Sequence, residues 1–280
     1  MQKNKISSHL NVLMISLSLC GLVACDDKNK QNTTQTSNTE NAMSTQQTEK
    51  AEVLPFLNIQ QQAAKYALPF CEKKDCIEID IQTIHTQDEF MNQWIAESQA
   101  KVIQDQLGLK QAMSLQQAVN AYVKASDLWQ SEFKTNKAYE LHIQTRIAAQ
   151  RNQYVLLQVI INTQQEEVSV KDRGYFFVVD RKLHKKLSLL DVIEAKQQNA
   201  MNEIIQAKYA EWLKEQAPEV RKAAPPKLYW GQNDWFFDGE GIGVHYRANE
   251  IVKEGKQLDI YLSKEQTQQM VQANIFQKMF

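Results

Sequence analysis

The chain has 280 residues, of which 43% are apolar and 23% are charged, and its formal net charge is −1. This length is enough for one large domain or two small ones with a substantial buried core. Lysine and arginine residues are spread along the sequence. There is therefore no polybasic patch of the kind that binds nucleic acid, and we expect no nucleic-acid partner.

The first 25 residues have the pattern of an export signal. Lys3 and Lys5 provide a positive start, and residues 10–24 are mostly apolar but fewer than the ~20 needed to span a bilayer. The run ends in Leu-Val-Ala-Cys, which resembles the bacterial lipobox, where the cysteine is acylated and becomes the first residue of the mature chain. We therefore predict a signal peptide over residues 1–24 and lipid (palmitate) attachment at Cys25. The alternative is an ordinary secretory signal with a chance cysteine.

Residues 25–52 predict a flexible tether. They consist mainly of Asn, Gln, Thr, Ser, Lys and Glu, and such a segment buries too little apolar surface to offset its ordering entropy. We expect a folded part anchored by its lipid to a membrane of the cell envelope and facing the periplasm. Asp26 and Asp27 resemble an inner-membrane retention signal of enteric bacteria. The choice between inner and outer membrane stays open, and a Gram-positive host would instead give a surface lipoprotein.

The mature part of the chain contains two further cysteines, Cys71 and Cys76, which bracket Glu-Lys-Lys-Asp. An even pair in an exported chain favours a disulfide. A metal site is the alternative, and it would need more ligands than the nearby lone His85. We predict the disulfide and no metal.

Residues 53–165 predict a strand, two helices and then two further strands. Apolar alternation predicts a strand over residues 77–84, and Thr86 with Glu89 has the spacing of a capping box that starts a helix. Ser114 with Gln117 repeats that signature before a second helical stripe. Two further strands, at 139–147 and 154–161, form a predicted antiparallel hairpin that turns at Arg151-Asn152.

The second half of the chain predicts more strands, with helices between them. The expected strands lie at 175–179, 235–237, 244–246 and 258–262, and the expected helices start at Ser188, near Asn199 and at Ser263. Runs of strands joined by hairpins and separated by helices favour an α+β fold, with an antiparallel β-sheet and packed helices.

Two blocks of this second half resemble a known family. Residues 175–193 read YFFVVDRKLHKKLSLLDVI, and residues 235–266 read WFFDGEGIGVHYRANEIVKEGKQLDIYLSKEQ. Both are similar to the RsiV-like domain, which occurs in a lysozyme-sensing anti-sigma factor, beside some peptidoglycan deacetylases and in bacterial lipoproteins. CEKKDCIEIDIQ and the helix after it are similar to the domain that usually precedes it. The resemblance implies an N-terminal α+β part over residues 53–165 and an RsiV-like C-terminal part over residues 166–280.

The chain departs from this family at two places. The family's Gly-Gly-Ala-His segment has no counterpart in residues 166–174, and its Pro-Tyr-Glu stretch is replaced by residues 247–250, so only Glu250 carries over as a candidate binding residue. The deacetylase catalytic domain is missing. The resemblance therefore implies a binding or sensing module whose ligand is lysozyme or cell-wall glycan.

An aromatic cluster is the second candidate binding surface. Tyr229, Trp230, Trp235, Phe236 and Phe237 lie close together in the sequence, and aromatic rings stack on sugars and anchor interfaces. The alternative is that alternate members fill the core of a sheet. Trp230 precedes a glycine in a predicted loop and is the member expected to be exposed, so Trp230 and Trp235 are the named candidates.

The sequence shows no set of catalytic residues that we recognise. Its histidines are scattered, and the GEGIG segment after Phe237 is better explained as a hairpin turn than as a nucleotide loop. Asp234, Asp238 and Glu240 could perform glycosidase chemistry or bind a cation, but exposed turn acids are commoner. We expect no enzymatic activity and no cofactor. The first hypothesis is lysozyme or wall-hydrolase binding, the second is peptidoglycan binding, and a wall-modifying enzyme is third.

Overall fold

A computed structural model of the protein describes residues 54–72 and 75–280. The predicted signal peptide, the lipidation site Cys25 and the tether over residues 25–52 lie outside the described residues, so they stay predictions. Within the described ranges, no helix has both the length and the apolar character that crossing a membrane requires.

Six strands form the larger of two sheets. Their spatial order is the order of the chain, and every neighbouring pair is antiparallel except the second and third strands, which are parallel. The strands are β1 (Gln60–Ala63), β2 (Glu78–His85), β3 (Glu140–Arg151), β4 (Tyr154–Gln165), β5 (Val168–Asp180) and β6 (Lys185–Leu187).

Two helices cross over between the parallel strands. α1 (Glu89–Gln106) and α2 (Leu115–Glu132) lie in the chain between β2 and β3. Parallel neighbours need such a crossover, because a hairpin returns the chain antiparallel. The predicted α+β fold with an antiparallel sheet and packed helices is confirmed, and β2–β3 is the one parallel pair in this mostly antiparallel sheet.

The two predicted capping boxes have different outcomes. Ser114 and Gln117 form the predicted box at the start of α2, with both reciprocal hydrogen bonds present. The box at Thr86 is wrong, because the N-cap of α1 is Asp88, whose carboxylate accepts from the backbone N–H of Met91 at 3.2 Å. The Thr86 hydroxyl instead accepts from the backbone N–H of Asp88 at 3.1 Å. Two potential capping residues, Thr86 and Asp88, lie two positions apart here, and spacing alone chose the wrong one.

Two consecutive hairpins build the centre of the large sheet. β3 and β4 pair with Arg151 opposite Tyr154, which confirms the predicted turn, and Asn152 takes a positive φ of 49° there. β5 then pairs with β4 along its length and begins seven residues before the predicted strand at Tyr175. The division predicted between residues 165 and 166 falls at the turn of this second hairpin.

A three-stranded antiparallel sheet and five short or medium helices complete the chain. The strands are β7 (Asp234–Phe237), β8 (Ile242–Tyr246) and β9 (Leu258–Leu262), in that order. The helices are α3 (Leu189–Val192), α4 (Gln198–Lys214), α5 (Pro218–Ala223), α6 (Lys264–Met270) and α7 (Ala273–Met279). The glycine-rich segment is the β7–β8 turn, as predicted. A Cβ at Gly241 would lie 2.0 Å from the carbonyl oxygen of Leu262, so only glycine fits.

The large sheet is buried on both faces by different partners. Successive side chains of a strand point to opposite faces, and in β4 they enter two separate apolar cores. Leu157 and Val159 pack in the core that contains α1 and α2, and we call this side the helical face. Tyr154 and Leu156 pack in the core that contains β7 to β9 and α4, and we call this side the C-terminal face.

Candidate functional site

A cleft of ≈ 970 Å³ lies between α1 and the part of the sheet formed by β5 and β6. We call it the main cleft. Its volume is in the range of pockets that hold small ligands, ~300–1,000 Å³. Apolar and aromatic side chains provide much of its lining, namely Trp94, Met113, Leu115, Phe176, Phe177, Leu187 and Trp235. Amide side chains are interspersed with them, namely Gln93, Gln104, Gln232 and Asn233.

Charged side chains connect the two walls of the main cleft. The Lys186 ammonium of β6 lies 2.7 Å from the Glu97 carboxylate of α1, and this hydrogen bond lowers the pKa of Glu97. Both side chains are well exposed, so the pair contributes little to stability. Lys185 and Asp191 form a second pair at 2.5 Å. The cleft therefore has an apolar interior and a mixed-charge rim.

A half-buried charge cluster adjoins the main cleft. Arg247 Nη1 lies 2.6 Å from Asp234 Oδ2, and Nη2 lies 3.1 Å from Glu250 Oε1. The guanidinium carbon sits 4.2 Å from the centroid of the Tyr175 ring, which is a cation–π contact. Asp234 also accepts from the backbone N–H of Phe176 at 3.1 Å. This bond ties β7 to β5, because Asp234 begins β7 and Phe176 belongs to β5.

Burial sets the titration of this charge cluster. It raises the pKa of Asp234 and of Glu250, although the nearby Arg247 opposes the rise in both. Burial alone would lower the pKa of Arg247, but the two carboxylates raise it above its usual value. The arrangement therefore holds one cation between two carboxylates in a partly desolvated place, where the removal of any partner leaves a half-buried charge unpaired.

Sequence reasoning recovered only part of this cluster. Glu250 was a candidate by resemblance, and Asp234 was considered among exposed turn acids. The structure instead half-buries Asp234 and brings it to Arg247, which the sequence did not single out. The β7–β8 pairing places Asp234 opposite His245, two positions before Arg247 in the chain. A correct prediction of this strand pairing would therefore have brought Asp234 close to Arg247.

The buried His245 forms a separate pair with the exposed Asp259 beside the cluster. Its Nδ1 lies 2.6 Å from Asp259 Oδ1, and its ring packs edge-on against Phe176 with centroids 5.0 Å apart. Its Nε2 is buried without a hydrogen-bond partner among the described residues. Burial alone would raise the pKa of Asp259, but hydrogen bonds from His245 and Gln257 lower it below its ordinary value.

The structure corrects the exposure expected of the aromatic cluster. Trp230 is 6% exposed and Trp235 is 2% exposed, whereas Tyr229 is 61% exposed. The expectation that Trp230 is the exposed member is therefore wrong. Its loop packs closely on α3: a Cβ at Gly231 would lie 2.7 Å from Leu190 Cγ. Trp235 donates from its indole N–H to the Leu187 carbonyl at 2.9 Å and forms part of the wall of the main cleft.

The predicted disulfide between Cys71 and Cys76 is confirmed. The segment that carries it runs along α2, where Gln116 bonds both backbone groups of Ala67 and Gln130 donates to the Asp75 carbonyl at 3.0 Å. No group of three or more potential metal ligands among His, Cys, Asp and Glu occurs within residues 54–72 and 75–280.

Asp238, another of the turn acids, has a structural role in the β7–β8 turn. Asp238 accepts from the backbone N–H groups of Glu240 and Gly241 at 2.7 and 3.1 Å, and from the Tyr261 hydroxyl at 2.5 Å. Its carboxylate thus closes the β7–β8 turn.

Two solved structures share this fold. A DUF3298 family protein from Pseudomonas aeruginosa PAO1 matches with a TM-score of 0.57 and 16% identity, over 79% of this chain and 97% of that one. A DUF3298 family member from Bacteroides fragilis NCTC 9343 matches with a TM-score of 0.51 and 14% identity, over 80% and 98%. No protein-family model and no curated protein matches the chain. At these identities the likeness establishes the fold alone.

Proposed function

We propose that this protein is a non-enzymatic binding module, held at a membrane of the cell envelope by lipid on Cys25, that captures lysozyme or a related wall hydrolase. The observation that carries the proposal is the main cleft, because an apolar interior with a mixed-charge rim suits recognition of a protein surface or a polymer end. A periplasm-facing tether would present this cleft to enzymes that reach the wall.

The resemblance to the RsiV-like domain supports the choice of ligand. Its first block includes Phe176, Phe177 and Ser188, and its second block begins at Trp235. All four residues line the main cleft. Segments far apart in the chain thus meet at one cleft, where a shared ligand would contact both.

Calorimetric titration of the mature chain from residue 26 against a c-type lysozyme tests this function. We expect binding at micromolar affinity or tighter, and Met113→Asp in the apolar lining should weaken it at least tenfold. Met113 is only half-buried, so this variant should keep its fold, which a melting curve checks. Lys264→Glu, on α6 and outside the cleft lining, is the control. Absence of heat with wild-type protein at high concentration would remove lysozyme as the ligand.

Peptidoglycan itself is the second candidate. The amide side chains of Gln93, Gln104 and Gln232 line the same cleft as the aromatic Phe176, and amides with aromatic faces are the groups that bind sugars. Sedimentation with purified sacculi tests this candidate. We expect Gln232→Ala to reduce the sedimenting fraction while Lys264→Glu does not. Sedimentation without any dependence on Gln232 would contradict a glycan site in this cleft.

The anchor has its own test. Cys25→Ser should release the protein from the membrane fraction, because the acyl chains supply the membrane affinity. A variant that stays with the membranes would contradict the lipid anchor, independently of any ligand.

A further inference from the structure

A second pocket, of ≈ 400 Å³, opens at the C-terminal end of α1. It shares Lys101 with the main cleft but is otherwise lined by different residues. One wall is formed by the end of α1 and the following turn, from Asp105 to Lys110. The opposite wall is formed by residues 247–250, and Arg173 and Tyr175 of β5 lie between them. We call it the β5 pocket.

The charges of the β5 pocket are unevenly paired. Lys101 forms an ion pair with Asp105, and Arg247 forms one with Glu250. These two pairs account for the carboxylates that line the pocket. Arg173 and Lys110 remain as cations with no carboxylate partner in the part of the chain that the structure describes. Arg173 makes only a long hydrogen bond, 3.5 Å, from Nη1 to the Gln106 side chain.

Tyr175 adds a hydroxyl proton without an acceptor. Its ring is 2% exposed and is held under the Arg247 guanidinium. The Tyr175 oxygen accepts from Gln106 Nε2 at 2.8 Å, and residues 54–72 and 75–280 provide no acceptor for its own O–H. A hydroxyl oriented by such a bond and lining a pocket can donate to a ligand oxygen.

We propose that the β5 pocket binds the carboxylate of a small ligand, namely a short peptide with a free C-terminus. Arg173 supplies a planar fork that matches a carboxylate, Tyr175 donates its O–H, and Lys110 adds charge at the rim. The site goes beyond the proposed function, because it shares only Lys101 with the main cleft and takes a small molecule rather than a protein.

The charge balance favours a carboxylate over a phosphate. Both groups offer oxyanions to Arg173, but Asp105 and Glu250 also line the β5 pocket. Their repulsion is greater for a phosphate, which carries more negative charge than a carboxylate at neutral pH. The volume, ≈ 400 Å³, is at the small end of ligand pockets, as a dipeptide requires.

Titration of the mature chain from residue 26, followed by amide NMR shifts, tests the proposal with three probes. They are an N-acetylated dipeptide with a free carboxylate, the same dipeptide as its C-terminal amide, and inorganic phosphate. We expect the free carboxylate to shift resonances of Gly108 and Arg173, and the amide to bind at least tenfold more weakly. Equal binding of acid and amide, or binding of phosphate alone, would overturn the carboxylate assignment.

Matched variants locate the site. Arg173→Gln and Tyr175→Phe should each weaken the free-carboxylate dipeptide about tenfold or more. Lys171→Gln, on the same strand but outside the pocket lining, should leave its affinity unchanged. A melting curve of Tyr175→Phe separates lost binding from lost structure. If Lys171→Gln weakened binding as much as Arg173→Gln, the effect would be general electrostatics and the site would be refuted. None of these outcomes depends on lysozyme binding.

Discussion

The two faces of the large sheet bury their surface in different ways. The helical face is closed by apolar side chains of α1 and α2, with a 2.8 Å hydrogen bond between Gln99 and Thr145 inside it and the buried Arg181 paired with Asp88 at the start of α1. The C-terminal face instead carries a half-buried charge cluster, in which Arg247 pairs with Asp234 and Glu250, and the buried His245, which contacts Asp259. The first face therefore meets charge at the start of α1, while the second combines packing with several polar contacts.

β5, like β4, contributes side chains to the cores on both faces of the sheet. Tyr175 and Val179 enter the core of the helical face, and Phe176 and Val178 pack in or against the core of the C-terminal face. β6 pairs with β5 only from Val178 onward. β6 does not pair with the earlier part of β5, and residues of this earlier part line both pockets, Phe176 and Phe177 in the main cleft and Arg173 and Tyr175 in the β5 pocket.

The largest expected effect breaks the helical face. Trp94 is 1% exposed in the middle of α1, and Trp94→Ala should destabilise the protein by about 3–5 kcal/mol through lost burial and an unfilled cavity. Equilibrium urea unfolding measures the change. Trp129→Ala, at a half-buried position of α2, is the matched control and should cost clearly less. Equal costs would contradict the view that α1 carries the packing of this face.

Removing the cation tests the C-terminal face. Arg247→Met should destabilise the protein by about 1–3 kcal/mol at neutral pH, because it leaves the half-buried Asp234 and Glu250 carboxylates without their partner. Urea unfolding as a function of pH measures the effect, with Lys171→Gln as a charge-matched surface control.

The destabilisation caused by Arg247→Met should depend on pH in a definite direction. The pKa values of Asp234 and Glu250 are raised by burial, so the folded protein holds their protons more tightly than the unfolded chain. The stability linked to these groups is present at low pH and is lost as pH rises through the folded pKa values. The cost of Arg247→Met should therefore shrink on acidification. A cost that grows toward acid pH would contradict the charge assignment.

The disulfide should have a medium effect, confined to the helical side. Replacing both Cys71 and Cys76 by Ser should cost about 2 kcal/mol, as expected for a short closed loop. Reduction of the wild-type protein should lower its stability equally, and a reductant should not change the double variant. Trp94→Ala should destabilise the double variant as much as it destabilises the wild-type protein. A clearly smaller cost in the double variant would show instead that the disulfide loop supports the packing of the whole helical face.

The smallest effect concerns α3 at the cleft rim. Asp191 accepts from the backbone N–H and the hydroxyl of Ser188 and pairs with Lys185. Asp191→Asn should cost about 0.5–1 kcal/mol, the value of a helix cap. Burial alone would raise the pKa of Asp191, but these hydrogen bonds lower it. The stability is therefore present above the unfolded pKa and lost as pH falls through the folded one. The difference in melting temperature between the wild-type protein and Asp191→Asn should be smaller below pH 4 than at pH 7.

Local patterns predicted the elements well. The alternation in 77–84 and 139–147 and the caps at Ser114 and Ser263 lie where the strands and helices begin, because period and capping depend on neighbours within a few residues. The pair Cys71–Cys76 was also predictable, since only five positions separate the two residues.

Features that depend on distant contacts were not predictable in this way. The parallel pairing of β2 with β3 required knowing that α1 and α2 cross over the sheet, and the burial of Trp230 required knowing that its loop packs against Leu190. Asp234 looked like an exposed turn acid because its partner Arg247 is thirteen residues away, directly after β8. Sequence patterns report local periodicity, whereas burial of charge depends on which surfaces finally meet.

The sequence by itself therefore determined the class of fold, most of its longer strands and helices and the disulfide, because each follows from short-range periodicity, capping or spacing, whereas the short elements β1, β6, α5 and α7 were not predicted. Only the tertiary structure decided that β5 is shared by two unlike cores and that Arg247 gathers Asp234 and Glu250. The two pockets also result from tertiary packing, because their walls come from α1, β5 and the segments around β7 and β8. Packing between elements far apart in the chain is the physical reason that a cleft exists there at all.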